Sequence, residues 1–232
     1  MVENRSAAFF DVDGTLSATR STTSLMWLRA RQHSPWRHRL WLANLVWGAP
    51  LAFLTDKLSR DLADRLVFSQ FAGLSLSRLI ADAGECCRSV LMPSCFPDAL
   101  AEIEMHKAAG RKVVLVSGGV APVLQPLADA LGADLIARGL EAEGDRLTGR
   151  CGHFPLLDDS SKSWGQAAAK ALAVRRYAET TGIDLAASYA YGDSINDAEM
   201  LGLVGHPTVV NPDRALDRTA KSRGWPARRW RP

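Results

Sequence analysis

Five short apolar runs, each punctuated near its end by glycine, aspartate, serine or asparagine, constrain the fold of this chain most. They are AAFFDVD (7–13), KVVLVSGG (112–119), ADLIARGL (133–140), SYAYGDS (188–194) and HPTVVN (206–211). Runs of this length without polar alternation suit strands buried on both faces, as in a parallel sheet. Helical patterns lie between them. Pro97 to Ala109 has proline at its start and Gly110 behind it, Val120 to Leu131 follows the second run, and Ser163 to Thr181 is closed by Gly182. Helix punctuation of this kind, alternating with strands, predicts an α/β fold with a Rossmann-like, mostly parallel sheet. The stretch LEAEGDRLTGRCG (140–152) predicts instead a hairpin turning at Gly144-Asp145.

One interval breaks the alternation. Between the first run and the helix at 97, about eighty residues carry no strand signal. Leu58, Leu62 and Leu66 recur every four residues, and Leu76, Ile80, Ala83, Cys87 and Leu91 follow a similar stripe. This predicts an all-helical insertion after strand one, above the carboxyl end of the sheet where α/β proteins bind ligands. The expected division is a core of residues 1–16 and 93–232 with a helical cap of 17–92. Within the insertion, Leu40 to Leu54 is uncharged but only fifteen residues long and broken by Gly48-Ala49-Pro50. A membrane span needs about 20 residues, so no stable membrane insertion is expected. Four of the seven tryptophans (Trp27, Trp36, Trp41, Trp47) alternate here with Arg29, Arg31, Arg37 and Arg39. The favoured reading is a packed bundle whose arginine stems cover tryptophan faces; an amphiphilic phosphate or peripheral lipid contact is the alternative.

Charge and cysteine content exclude several classes. The 232 residues carry a net charge of +3, concentrated from Asp213 onward, where seven basic residues face two acidic ones. That basic end reads as a solvated terminus rather than a nucleic-acid site, since no recognition motif accompanies it. Cys86, Cys87, Cys95 and Cys151 form no C-x-x-C pair and no zinc-finger spacing, which points to a reducing compartment. The opening MVENRSAAFFDVDG has two acidic residues before its apolar run is complete and does not read as a secretory signal. A cytoplasmic location is expected.

Chemistry gathers at the strand ends. The first strand delivers Asp11 and Asp13 on one side of an extended chain, followed by Gly14-Thr15. The second delivers Ser117-Gly118-Gly119 at a helix start, a hydroxyl and amides suited to an anion. A later strand delivers Asp193 after Gly192, then Asn196 and Asp197. Several carboxylates in one crevice repel unless a cation joins them, and hard oxygen donors select Mg2+ over Zn2+. A phosphate on a magnesium ion accounts for both the anion site and the charges.

This order of motifs, Asp11-Val12-Asp13-Gly14-Thr15-Leu16, then Ser117-Gly118-Gly119, then Gly192-Asp193-Ser194-x-x-Asp197, resembles the haloacid dehalogenase superfamily. The insertion after the first motif is similar to the subclass around phosphoserine phosphatase. The resemblance implies that Asp11 is the nucleophile and that Asp13 is the acid and base. Ser117, Gly118, Gly119 and Asn196 would hold phosphate. Asp11, the backbone carbonyl of Asp13, and Asp193 would ligate Mg2+, with Asp197 supporting the site. The lysine of the third motif is Lys170, twenty-three residues before Asp193, with Lys162 as the alternative. Phosphoserine phosphatases carry a glutamate nine residues after the nucleophile to bind the substrate amine. Arg20 stands there in this chain, which disfavours phosphoserine and favours a second anionic group. The implied activity is hydrolysis of a small phosphomonoester. A phosphotransferase or mutase using the same aspartyl-phosphate is the nearest alternative, and a non-catalytic binding module a more distant one.

Overall fold

The computed structural model describes residues 6–32, 66–152, 154–157 and 165–231. Its centre is β1 (Ala7–Asp11), in which all five residues are buried. Alternate side chains of this strand feed two different cores. Ala8 and Phe10 join one cluster, Ala7 and Phe9 the other, because successive residues of a strand point to opposite faces. Phe10 stacks on Tyr191 at 4.4 Å between ring centroids, and Phe9 meets Tyr177 edge-on at 6.3 Å. Full burial of each phenylalanine contributes about 1.5–3 kcal/mol.

The remaining elements assemble around that strand. The insertion contains α1 (Ser21–Gln32) and α2 (Leu76–Cys86), and a π-helical turn (Cys87–Leu91) leads toward α3 (Pro97–Ala108). Then come β2 (Lys112–Val120), α4 (Ala121–Ala130), β3 (Asp134–Arg138) and the hairpin β4 (Leu140–Glu143) and β5 (Arg146–Cys151). The chain closes with α5 (Gln166–Thr181), β6 (Tyr189–Gly192), the single-turn α6 (Ala198–Leu201), β7 (His206–Val210), α7 (Arg214–Arg223) and β8 (Ala227–Arg228). The main sheet runs β3-β2-β1-β6-β7-β8, and every pairing in it is parallel. Five strands and the hairpin thus lie where the apolar runs and turn residues place them.

Two expectations need correction. The stripe through α2 is rotated: Leu79, Ala83 and Cys86 are buried, whereas Ile80 is 56% exposed. The four-residue spacing picked up one exposed position because α2 packs on a narrow face, against α1 and α4. The basic end is also not a free solvated terminus. β8 adds to the edge of the sheet, Trp230 is buried in the core, and Arg228 pairs with Glu102 at 2.7 Å. The Asn211 side chain receives the Trp230 amide and donates to its carbonyl. A single buried indole and a two-residue strand outweigh the surrounding charge, which stays on the solvent side.

Among the described residues, the insertion meets the core at its entry and exit and again at the hairpin. Its entry and exit run side by side, with Ala18 N–H donating to Ser94 and Phe96 N–H to Leu16, while the hydroxyls of Ser17, Thr19 and Ser94 lie within 2.9 Å of one another. Further out, Gly73 N–H donates to the Leu147 carbonyl of the hairpin, Leu147 N–H donates back to Leu74, and the Asp145 carboxylate receives Ser75 Oγ and Ser77 N–H at the start of α2. Gly149, at φ +79°, permits this approach: a Cβ there would lie 2.8 Å from the Ala72 Cβ. A third apolar cluster, including Leu25, Leu28, Phe71 and Leu147, fills the seam. Arg31 lies over the Trp27 ring at 4.7 Å, as the packed-bundle reading expects. Trp36, Trp41, Trp47, Arg37, Arg39, Leu58, Leu62 and the Leu40–Leu54 stretch lie outside the described residues.

Candidate active site

Parallel register brings the functional ends together. Asp11 of β1 is level with Val116 of β2, one residue before Ser117, and Phe10 is level with Tyr191 of β6, two before Asp193. Neighbouring parallel strands end at the same edge, so residues 106 and 182 positions apart in sequence meet without any local signal linking them.

Asp11, Asp193 and Asp197 form the cluster, each offering an oxygen within 4.8 Å of the others. Lys170, on α5 and 2% exposed, reaches into it with Nζ 2.5 Å from Asp11 Oδ1 and 2.6 Å from Asp197 Oδ1. The second oxygen of Asp197 receives the backbone and hydroxyl of Ser194. Two glycines make the crowding possible. Gly14 has φ +94°, and a Cβ there would fall inside the Asp193 carboxylate; a Cβ on Gly192 would lie 2.5 Å from that of Asp197.

Three carboxylates against one lysine leave negative charge uncompensated in a buried space. Burial raises the Asp11 carboxyl well above its ordinary range, and Asp197 raises it further despite the opposing pull of Lys170. Burial followed by Asp197 pushes Asp193 up to about 7. Burial alone would lower Lys170, but the Asp11 and Asp197 carboxylates outweigh it and hold its amine above the usual lysine range. An all-oxygen donor set with surplus negative charge fits a hard divalent cation.

The anion side lies next to it. Ser117 is 1% exposed, and its Oγ accepts the Gly119 N–H at 2.9 Å. The Gly119 amide expected to hold phosphate is therefore engaged by Ser117, which leaves the serine O–H as the donor for a ligand. Asp13 is partly buried just past β1, where its backbone bridges to Ser17. Asn196 is partly buried in the turn Ile195–Asp197. Arg20 is exposed immediately before α1, and no described contact joins it to the carboxylates. Lys162 lies outside the described residues.

Sequence reasoning missed Asp213. Its N–H donates to the Asp193 carbonyl at 2.8 Å, and its carboxylate receives Ile195, Ala215 and Leu216 amides. It therefore fastens the Asp193 turn to the start of α7. Asp before Arg-Ala-Leu is a helix-capping signal, but nothing local shows which turn the cap also holds.

Comparison with known proteins agrees with this geometry. The chain belongs to the haloacid dehalogenase-like hydrolases, whose family model matches residues 8–202. It is 34% identical over 96% of its length to a probable phosphatase of Mycobacterium tuberculosis, covering 74% of that protein. It is 30% identical to a phosphoserine phosphatase of the same organism, over 99% of this chain and 72% of the other. A solved structure of a Bordetella pertussis protein of unknown function superposes with a TM-score of 0.75 at 29% identity, covering 97% of this chain and 98% of that one. Within its family the chain is an enzyme of the phosphatase class. No helix among the described residues is long and apolar enough to cross a membrane.

Proposed function

We propose that the protein is a Mg2+-dependent phosphomonoesterase that works through a phosphoryl group on Asp11. The observation that carries this reading is the constellation of buried Asp11, Lys170 and Asp197 with partly buried Asp193 at the strand ends, beside Ser117. A bound Mg2+, held by Asp11, the Asp13 carbonyl and Asp193, would supply positive charge to the transferring phosphoryl oxygens. Lys170 opposes the rise that burial imposes on Asp11 and supplies a second positive charge. Asp197 supports the site by fixing Lys170 with one oxygen and the Ser194 turn with the other.

An Asp11 oxygen attacks phosphorus, the bond to the ester oxygen breaks, and Asp13 gives that oxygen its proton. The ionised Asp13 then takes a proton from water as the water oxygen attacks phosphorus. The Asp11–phosphate bond breaks, inorganic phosphate leaves, and both carboxyl groups return to their starting states. The Ser117 hydroxyl donates to a phosphoryl oxygen throughout, with the Gly118 amide and Asn196 beside it.

Residues 17–92 act in this reading as a cap whose closure excludes bulk water, over a core of 1–16 and 93–232. The substrate is a small phosphorylated molecule met in the cytoplasm. Arg20, at the mouth of α1, favours a second anionic group over the ammonium of phosphoserine, although relatives bear the phosphoserine phosphatase name.

The test is phosphate release from phosphoserine, sugar phosphates, nucleotides and lysophospholipid phosphates, with and without Mg2+, alongside Asp11→Asn. Magnesium-dependent release that the substitution abolishes is the expected result. Phosphate that appears on a second hydroxyl compound, rather than in solution, would replace hydrolysis by phosphotransfer.

A further inference from the structure

The ladder between β2 and β3 is interrupted at one point. Ser117 is level with Ala137 and Val120 with Arg138, so Gly118 and Gly119 bulge out of the pairing. A bulge leaves its backbone groups without ladder partners. Here side chains take their place: Arg138 Nε–H donates to the Gly118 carbonyl at 3.0 Å, and Ser117 Oγ accepts the Gly119 N–H. The carbonyl of Gly118 and the N–H of Gly119 belong to one planar peptide group and point in opposite directions. Pinning the carbonyl therefore also fixes the direction of the N–H, and with it the Ser117 hydroxyl.

The other side of the same guanidinium faces the insertion. The Arg138 Cζ lies 4.7 Å from the ring centroid of Phe68, which is 4% exposed, and 5.9 Å from that of Phe154. Phe68 reaches β3 only because the insertion is docked on the hairpin and α4. Moving the insertion away would bare the guanidinium to water, which competes for its hydrogen bonds and weakens the bond to Gly118.

We propose that Arg138 is a positioning residue that couples the docking of Phe68 to the geometry of the phosphate-binding turn Ser117-Gly118-Gly119. The coupling rests on the reading above that this turn receives the phosphoryl group. Arginine suits the task because its planar fork can donate in its plane while an aromatic ring covers its face; lysine, a point charge, cannot do both.

The experiment uses the full chain with Mg2+ and inorganic phosphate as the probe, measuring its inhibition constant, kcat, KM and Tm. Removing a charge-assisted hydrogen bond that orients the ligand site, Arg138→Gln is expected to weaken phosphate inhibition about 10-fold. Tm should change little, because the guanidinium is only partly buried. Phe68→Leu should shift inhibition in the same direction by less, and the double variant should match Arg138→Gln alone. Arg138→Lys should not rescue, and it carries the same comparison should Arg138→Gln not fold. Inhibition unchanged in the Arg138 variants, effects of Arg138 and Phe68 that simply add, or rescue by lysine would overturn the coupling while the phosphatase reading stands. Wild-type protein that neither releases nor binds phosphate would overturn both.

Discussion

Lys170→Met removes the only positive charge described within the carboxylate cluster while keeping most of the side chain's volume. At 2.5 and 2.6 Å from two carboxylate oxygens, each pair has a gross attraction of about 6 kcal/mol at an effective dielectric near 20. Much of this is offset by the cost of holding a lysine away from water, and breaking a buried pair costs about 3–5 kcal/mol net. In EDTA at pH 8, urea unfolding should show a loss of that size, equivalent to roughly 10 °C in Tm. At pH 5 the loss should shrink, because Asp193, pushed up to about 7 by burial and Asp197, takes up a proton and relieves the repulsion. Mg2+ should recover part of the loss at pH 8 by supplying a replacement cation. kcat should fall at least about 100-fold, the scale of removing one preorganised charge partner from a reacting group. A stability loss below about 1 kcal/mol, equal at both pH values and indifferent to Mg2+, would refute the electrostatic account of this cluster.

Other consequences follow from the same geometry. Asp193, at about 7 against an ordinary 3.8, binds more proton in the folded apo protein than in the unfolded chain between those values. Its contribution to apo stability thus diminishes as pH rises through that window, by up to about 1.4 kcal/mol per unit. Mg2+ must displace this proton, so calorimetry should show proton release on binding at pH 6 and affinity rising toward pH 8. His106 behaves oppositely: burial, then Arg111, lower it from 6.5 to about 4. Its Nε2 bonds to Tyr191 Oη at 2.9 Å, and Tyr191 in turn donates to Glu102. Its stabilisation is intact above 6.5 and is lost as pH falls toward 4, so the advantage of wild type over His106→Gln should fall by about 3 kcal/mol across that range. Gly14→Ala places a methyl group inside the Asp193 carboxylate at φ +94°; a stability loss of about 1–3 kcal/mol and no measurable Mg2+ binding by calorimetry are expected.

How much of this was legible in the sequence depends on the distance over which each feature is encoded. Aspartates two apart at the end of an apolar run, a Gly-Gly after a strand serine, and a Gly-Asp hairpin turn are local, and strand period and turn geometry act within a few residues. Five strands of the main sheet, the hairpin, α3, α4 and α5, and the placement of Asp11, Ser117 and Asp193 at strand ends could therefore be read directly. Ile80 misled because spacing alone does not say which part of an amphipathic stripe the neighbouring helices cover. The basic tail misled because seven charges dominate a segment whose fate Trp230 decides.

The tertiary structure alone decided what meets what. Lys170 stands 159 residues from Asp11 and 27 from Asp197, and only the packing of α5 against the sheet sends its amine between them. Asp213 holds the Asp193 turn through a helix cap, and Arg138 holds Gly118 at a ladder bulge; the cap has a local signal, but which turn each side chain fastens is not written in the neighbouring residues. The sequence by itself determined the strands and which chemical groups stand at their ends, because those properties are set by neighbouring residues. The parallel register, the burial that makes their charges costly and the contact of Phe68 with Arg138 arise only when distant segments pack, because electrostatic strength depends on the surrounding medium and not on the residue alone.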